Sequence, residues 1–189
     1  MLEIVARPSD VSGAPPSGVP APQVSENTAM TITVGDTLPS ATLVKVTPDG
    51  PDQVGSTDFF AGRTVALFAV PGAFTPTCSA KHLPGFVEKR EELKAKGVDE
   101  IACTSVNDAF VMGAWAKSAD ADGITMLADG NGDFAEALGL TMDGSKFGMG
   151  KRSQRYTMLV EDGVVKQLHV EEPGEFKVSS AEYLLGELN

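Results

Sequence analysis

The stretch Val65 to Cys78, VALFAVPGAFTPTC, limits what this chain can fold into more than any other. Thr64 to Val70 is an almost continuous apolar run, the pattern of a central strand buried on both faces. Pro71-Gly72 ends the run and forces a loop, because proline cannot donate to a ladder and glycine admits backbone shapes that other residues avoid. Beyond Cys78, the apolar residues Leu83, Phe86, Val87 and Leu93 fall near helical spacing and Gly97 stops the pattern, which predicts a helix of about five turns. A thiol at such a junction faces unpaired N–H groups and the positive end of the helix dipole, both of which favour its thiolate. Cys78 is therefore the first candidate for chemistry.

The remaining segments supply layers around that unit. Thr31 to Val34 and Ala41 to Val46 read as strands of an N-terminal hairpin, followed by the turn residues Pro48-Asp49-Gly50, and Asp58 to Ala61 reads as one helical turn. Ile101 to Val106 predicts a strand, with Asn107-Asp108 capping the helix that carries Phe110, Val111, Ala114 and Trp115. Thr125 to Ala128 is a short strand and Asp133 to Leu138 a short helix. Tyr156 to Val160 and Val164 to Val170 form a hairpin about Asp162-Gly163. Ser179 to Leu188 closes the chain as a helix, with Ser179 and Glu182 in capping-box register. Alternating strands and helices, then a hairpin and a last helix, specify an α/β domain built on a mixed central sheet flanked by helices. That domain spans residues 30–189. Residues 1–29, rich in proline, glycine and serine without periodicity, read as a disordered tail, either a genuine extension or an added leader, with Met30 as an alternative start.

Composition sets the function classes. A chain of 189 residues with 42% hydrophobic content can bury one sizeable core. A formal net charge of -11 repels nucleic acid and anionic membrane surfaces. No apolar segment approaches the roughly 18 residues that span a bilayer, and no basic-then-apolar leader opens the chain. Two cysteines, Cys78 and Cys103, are too few for a disulfide scaffold. A soluble, unexported protein of a reducing compartment, the cytoplasm, is expected.

A free cysteine is often only a small buried hydrophobe. Here Thr75 and Thr77 offer hydroxyls and backbone donors beside the sulfur, Pro76 fixes the entry to the helix, and Pro71-Gly72 opens the loop, which favours a reactive Cys78. Lys81 stands where a thioredoxin-like motif would place its second cysteine, so the chemistry is oxidation to a sulfenic acid resolved by a distant or external thiol. Other features point nowhere. Asp129, Asn131 and Asp133 mimic the start of a calcium loop, but Phe134 and Leu140 occupy the glycine and glutamate positions. His82 and His169 stand alone without ligand spacing, which leaves His82 a capping or packing role. Gly144 to Gly150 lacks the context of a phosphate loop. Lys151, Arg152 and Arg155 read equally well as a solvated basic loop.

PGAFTPTC, followed by HLPGF, by SVND with a cysteine just ahead of it, and by YTMLVEDGVV, resembles the peroxiredoxins, specifically the type II (five-type) subfamily. The resemblance covers roughly Thr31 to Asn189. It implies a thioredoxin-like fold and a thiol-specific peroxidase that reduces hydrogen peroxide and alkyl hydroperoxides without metal or prosthetic group. It implies Cys78 as the peroxidatic nucleophile, Thr75 as the hydroxyl that orients the peroxide, Pro71 as the ring that shields the sulfur from water, and Thr77 and Cys78 as backbone donors. Arg155 matches the arginine that supports the thiolate and the transition state, and Arg152 is the second choice for a supporting role. Cys103 resembles the resolving cysteine of many plant and bacterial members, which leaves recycling through Cys103 and thioredoxin, or directly by glutathione with glutaredoxin, as the two routes. A homodimer is also implied, with Phe74, Phe86 and Trp115 as candidate interface residues. The other function classes are a redox sensor or partner-binding module that signals through oxidised Cys78, and a monothiol transferase.

Overall fold

A computed structural model describes residues 30–188; the tail expected over 1–29 lies outside the described residues. The apolar run at the heart of the sequence forms β3 (Thr64–Ala69), in the interior of a seven-stranded sheet. It pairs in parallel with β4 (Glu100–Ser105), which pairs in parallel with β5 (Thr125–Ala128). On its other side β3 meets β8 (Tyr156–Glu161) antiparallel, and β8 turns back into β9 (Val164–Val170). Beyond β5 lie β1 (Thr42–Thr47) and β2 (Gly50–Gly55), so the order is β2-β1-β5-β4-β3-β8-β9.

Strand side chains alternate between faces, so a strand covered on both sides must be apolar throughout. Val65, Leu67 and Ala69 enter one core with Phe59 and Phe60 of α1 (Ser56–Phe60) and Phe134 of α5 (Asp133–Ala137). Ala66, Phe68 and Val70 enter the other, which holds both cysteines. There they meet α2 (Leu83–Glu88), α3 (Arg90–Ala95), α4 (Ala109–Ser118) and α6 (Ala181–Glu187).

Several local expectations are corrected. The hairpin is real, but Thr42–Thr47 pairs with Gly50–Gly55 across Pro48-Asp49, while 31–34 forms no strand. The helix expected as one unit after Cys78 is divided. Helical backbone begins at Pro76, residues Cys78–His82 form a π turn, and Lys89 separates α2 from α3. Pro84 accounts for the π turn: it has no N–H for the carbonyl four residues back and its ring crowds that carbonyl. The ladder steps to i→i+5, with Leu83 N–H donating to the Cys78 carbonyl. Ser180, not Ser179, caps α6 and accepts from Tyr183 N–H. Phe86 and Trp115 are fully buried and so are core rather than interface residues, whereas Phe74 is 54% exposed. A small second sheet of β6 (Thr141–Asp143) and β7 (Lys151–Ser153) had no signal in the sequence, because three-residue strands show no periodicity.

Phe68 and Phe86 stack with ring centroids 4.1 Å apart and join β3 to α2. Truncation of Phe86 to alanine in this close-packed layer is expected to cost about 3–5 kcal/mol. Urea denaturation should show it as a lower midpoint with an unchanged slope.

Candidate active site

The loop that leaves β3 carries most of the site. Val70 N–H donates to the Thr104 carbonyl, after which Pro71 breaks the ladder and Thr75 N–H closes a turn on the Gly72 carbonyl. Phe74 sits at φ 60°, a left-handed conformation uncommon for a side-chain-bearing residue. Asn107 holds the loop: its Oδ1 accepts from Ala73 N–H at 2.9 Å and from Ser105 Oγ at 2.8 Å. The sequence suggested Asn107 as part of a helix cap. Asp108 alone does that, accepting from Phe110 and Val111 N–H.

Cys78 is completely buried at the start of the π turn. Thr75 Oγ lies 2.8 Å from its sulfur and 2.9 Å from the Gly72 carbonyl. A hydroxyl has one proton, so it donates to only one of the two. Beside a thiol, the hydroxyl donates to Gly72 and accepts from S–H; beside a thiolate, it can turn to the sulfur. The first intrahelical bond here is Ser79 N–H to the Thr75 carbonyl, so the N–H groups of Thr77 and Cys78 precede the ladder and point out of the helix start. Pro71, Thr77 and Arg155 line one cleft of about 550 Å³, together with Phe147 and Gln154. Three of the residues named from the sequence thus meet at this cleft, Pro71 from the loop after β3, Thr77 from just ahead of the π turn and Arg155 from just ahead of β8, while Thr75 meets Cys78 behind it.

Arg155 and Arg152 are used differently. Arg152 is spent on backbone, donating to the carbonyls of Met149 and Val106 at 2.7 Å each. Arg155 faces the cleft, and its Nη1 lies 3.1 Å from Nδ1 of His82, with the Phe176 ring beside it. His82 is fully buried and packs against Phe68, Phe86 and Phe176 in tilted and edge-on contacts. Burial first, then the Arg155 charge, lower its pKa to about 3, so the ring is neutral. Sequence reasoning left it a capping or packing role; only the fold shows what its two nitrogens face. Cys103 pairs in register with Phe68 and is also completely buried. Burial, and then the nearby Cys78, push its thiol well above its ordinary pKa. The calcium-like Asp129 accepts from Phe134 and Ala135 N–H and so caps α5. Among the described residues no group of three or more His, Cys, Asp or Glu side chains is arranged to hold a metal ion, and no helix is long and apolar enough to cross a membrane.

A mixed sheet with parallel inner strands and a thiol at the strand-to-helix junction defines a thioredoxin-like redox protein. The Redoxin family model matches residues 33–185. Peroxiredoxin-2E-2, chloroplastic, of Oryza sativa subsp. japonica is 58% identical over 162 residues, covering 82% of this chain and 72% of that one. Peroxiredoxin-2B of Arabidopsis thaliana is 49% identical over 156 residues, covering 82% and 96%. Among solved structures, reduced Prx3 of Vibrio vulnificus in complex with hydrogen peroxide superposes with a TM-score of 0.82 at 54% identity, covering 84% of this chain and 100% of that one. The chain belongs to the peroxiredoxins, in their type II branch, and is a thiol-dependent peroxidase that reduces peroxides through a cysteine.

The His82 environment sets a pH dependence of stability. Its folded-state pKa of about 3 lies below the ordinary 6.5, so on acidification the unfolded chain takes up a proton that the folded ring refuses. This contribution is fully present above about 6.5 and is lost as pH falls toward about 3. His82→Asn cannot titrate there, and urea midpoints measured across that window should fall less steeply with acidification than in the unmodified protein.

Proposed function

We propose that Cys78 is the peroxidatic nucleophile of this enzyme, acting on hydrogen peroxide and alkyl hydroperoxides. The observation that carries the assignment is the 2.8 Å contact between Thr75 Oγ and Cys78 Sγ at a helix start that opens on the cleft. The Cys78 thiolate attacks one peroxide oxygen; an S–O bond forms as the O–O bond breaks. Sulfur gives up two electrons, the peroxide accepts them, and the departing oxygen takes a proton to leave as water or alcohol. Thr75 orients the attacked oxygen, the N–H groups of Thr77 and Cys78 hold it, and the Arg155 guanidinium meets charge building on the leaving oxygen. Pro71 keeps water from the sulfur. No metal or prosthetic group enters these steps.

The sulfenic acid is then attacked by a thiol, with loss of water, and a second thiol releases the resulting disulfide. Burial of Cys103 and its raised pKa leave little thiolate for that attack, which supports an external thiol, glutathione with glutaredoxin, over Cys103 and thioredoxin. A homodimer that packs the loops near the site belongs to the same reading, supported by exposed Phe74 beside Thr75.

Cys78→Ser is expected to abolish peroxide consumption with the fold intact by circular dichroism, and retained turnover would refute the assignment. Arg155→Ala should lower the second-order rate of Cys78 oxidation about 100- to 1000-fold, the usual loss for a transition-state donor. Cys103→Ser should keep both glutaredoxin-supported and thioredoxin-supported turnover; loss of thioredoxin-supported turnover alone would assign resolution to Cys103.

A further inference from the structure

We infer that His82 is a positioning residue of the peroxidase site, a fixed hydrogen-bond acceptor that holds the Arg155 guanidinium in its working orientation. The inference rests on the role proposed above for Arg155.

The geometry comes from three directions. His82 lies four residues after Cys78, on the same side of the helix, and the π turn sets its height. Its Nε2 lies 2.9 Å from the Ser179 carbonyl, which can only accept, so Nε2 carries the proton. Nδ1 is then left with a lone pair, and that lone pair faces Arg155 Nη1 at 3.1 Å. The tautomer is therefore fixed by Ser179. Ser179 is fixed in turn: its carbonyl also accepts from Thr157 Oγ at 2.6 Å, and its N–H and Oγ donate to Glu171 Oε1 at 2.8 and 2.9 Å. Burial pushes the Glu171 carboxyl up, but the donors from Ser179 and Lys177 outweigh this and hold it below its ordinary range. Phe68, Phe86 and Phe176 pack around the imidazole and prevent it from flipping. A neutral acceptor suits the task, because it orients the guanidinium without cancelling the positive charge that the leaving oxygen needs.

Two variants separate the two nitrogens. In His82→Asn the amide oxygen takes the Nδ1 place and can still accept from Arg155. In His82→Gln the amide nitrogen takes the Nε2 place, which keeps Ser179 and abandons Arg155. Stopped-flow rates of Cys78 oxidation should stay within a few-fold for His82→Asn and drop about 10- to 100-fold for His82→Gln, the worth of a hydrogen bond to a charged group. In an Arg155→Met background, the same His82→Gln change should add no further loss. Equal rates for the two variants, or a full further loss without Arg155, would overturn the inference.

Nitrogen NMR of ¹⁵N-histidine-labelled protein gives a reading that needs no change at His82. Nδ1 should show an unprotonated, hydrogen-bonded signal that moves toward the free-acceptor position in Arg155→Met, and an unmoved signal would also overturn the inference. Cys78→Ser serves as the control: peroxidase activity surviving there removes the reading of the whole site, whereas its loss combined with indifferent His82 variants removes only the role of His82.

Discussion

The hydrogen bond from Leu83 N–H back to the Cys78 carbonyl is the constraint on which the rest of the site depends. Pro84 makes an ordinary helical register unavailable at this point, so the backbone widens by one residue. The widened turn keeps Cys78 at the helix start, under the loop from β3, and delivers His82 beside the stacked rings of Phe68 and Phe86. A regular helix would rotate the residues after Cys78 relative to those rings. The chemistry at the sulfur and the packing beneath it are therefore settled by the same local irregularity.

A peroxidase site of this kind must also bring a cation close to a sulfur without letting an acid neutralise it. The protein is strongly acidic, with 26 Asp and Glu against 15 Lys and Arg, so carboxylates are the readily available partners for any arginine. Glu171 lines the same cleft as Arg155, yet its Oε1 is occupied by donors from Lys177 and Ser179. Fixing that carboxylate on the backbone of the 177–179 segment reduces its pull on the guanidinium. The imidazole then holds Arg155 with no charge of its own. Acidic and cationic groups share one wall of the cleft, each with separate work.

Much of this was legible in the chain. The central strand, the hairpin about Asp162-Gly163 and the helix capped by Asp108 lie where apolar spacing and turn residues put them, because each is set by neighbours within a few positions. Cys78 and Thr75 are three residues apart, so their contact too is local. Arg155 was picked out by resemblance alone, since no periodic signal links it to Cys78 across the long stretch between them. His82 was undervalued for a related reason: its acceptor role exists only because Ser179 and Arg155 reach it across the sheet. The β6 and β7 strands were missed because their three residues each are too few to show alternation. Distance along the chain, rather than subtlety of chemistry, divides what was read from what was not.

The burial that encloses Cys78 opposes the approach of a reductant. A reductant must reach a sulfur with no exposed surface, whether it comes from Cys103 or from another molecule, so the first turn has to open in either case. Opening frees Ser79, whose Oγ is the acceptor for the indole N–H of Trp115 at 3.0 Å. Trp115 is the chain's only tryptophan and is buried, so its N–H would be left without a partner at a cost of about 1–3 kcal/mol. The Thr75 contact to the sulfur would go as well. Against these losses stands the added oxygen of the sulfenic acid, which must fit where a bare sulfur is already enclosed. Crowding from that oxygen works in the direction of opening, so oxidation itself lowers the cost of exposing the turn to the incoming thiol.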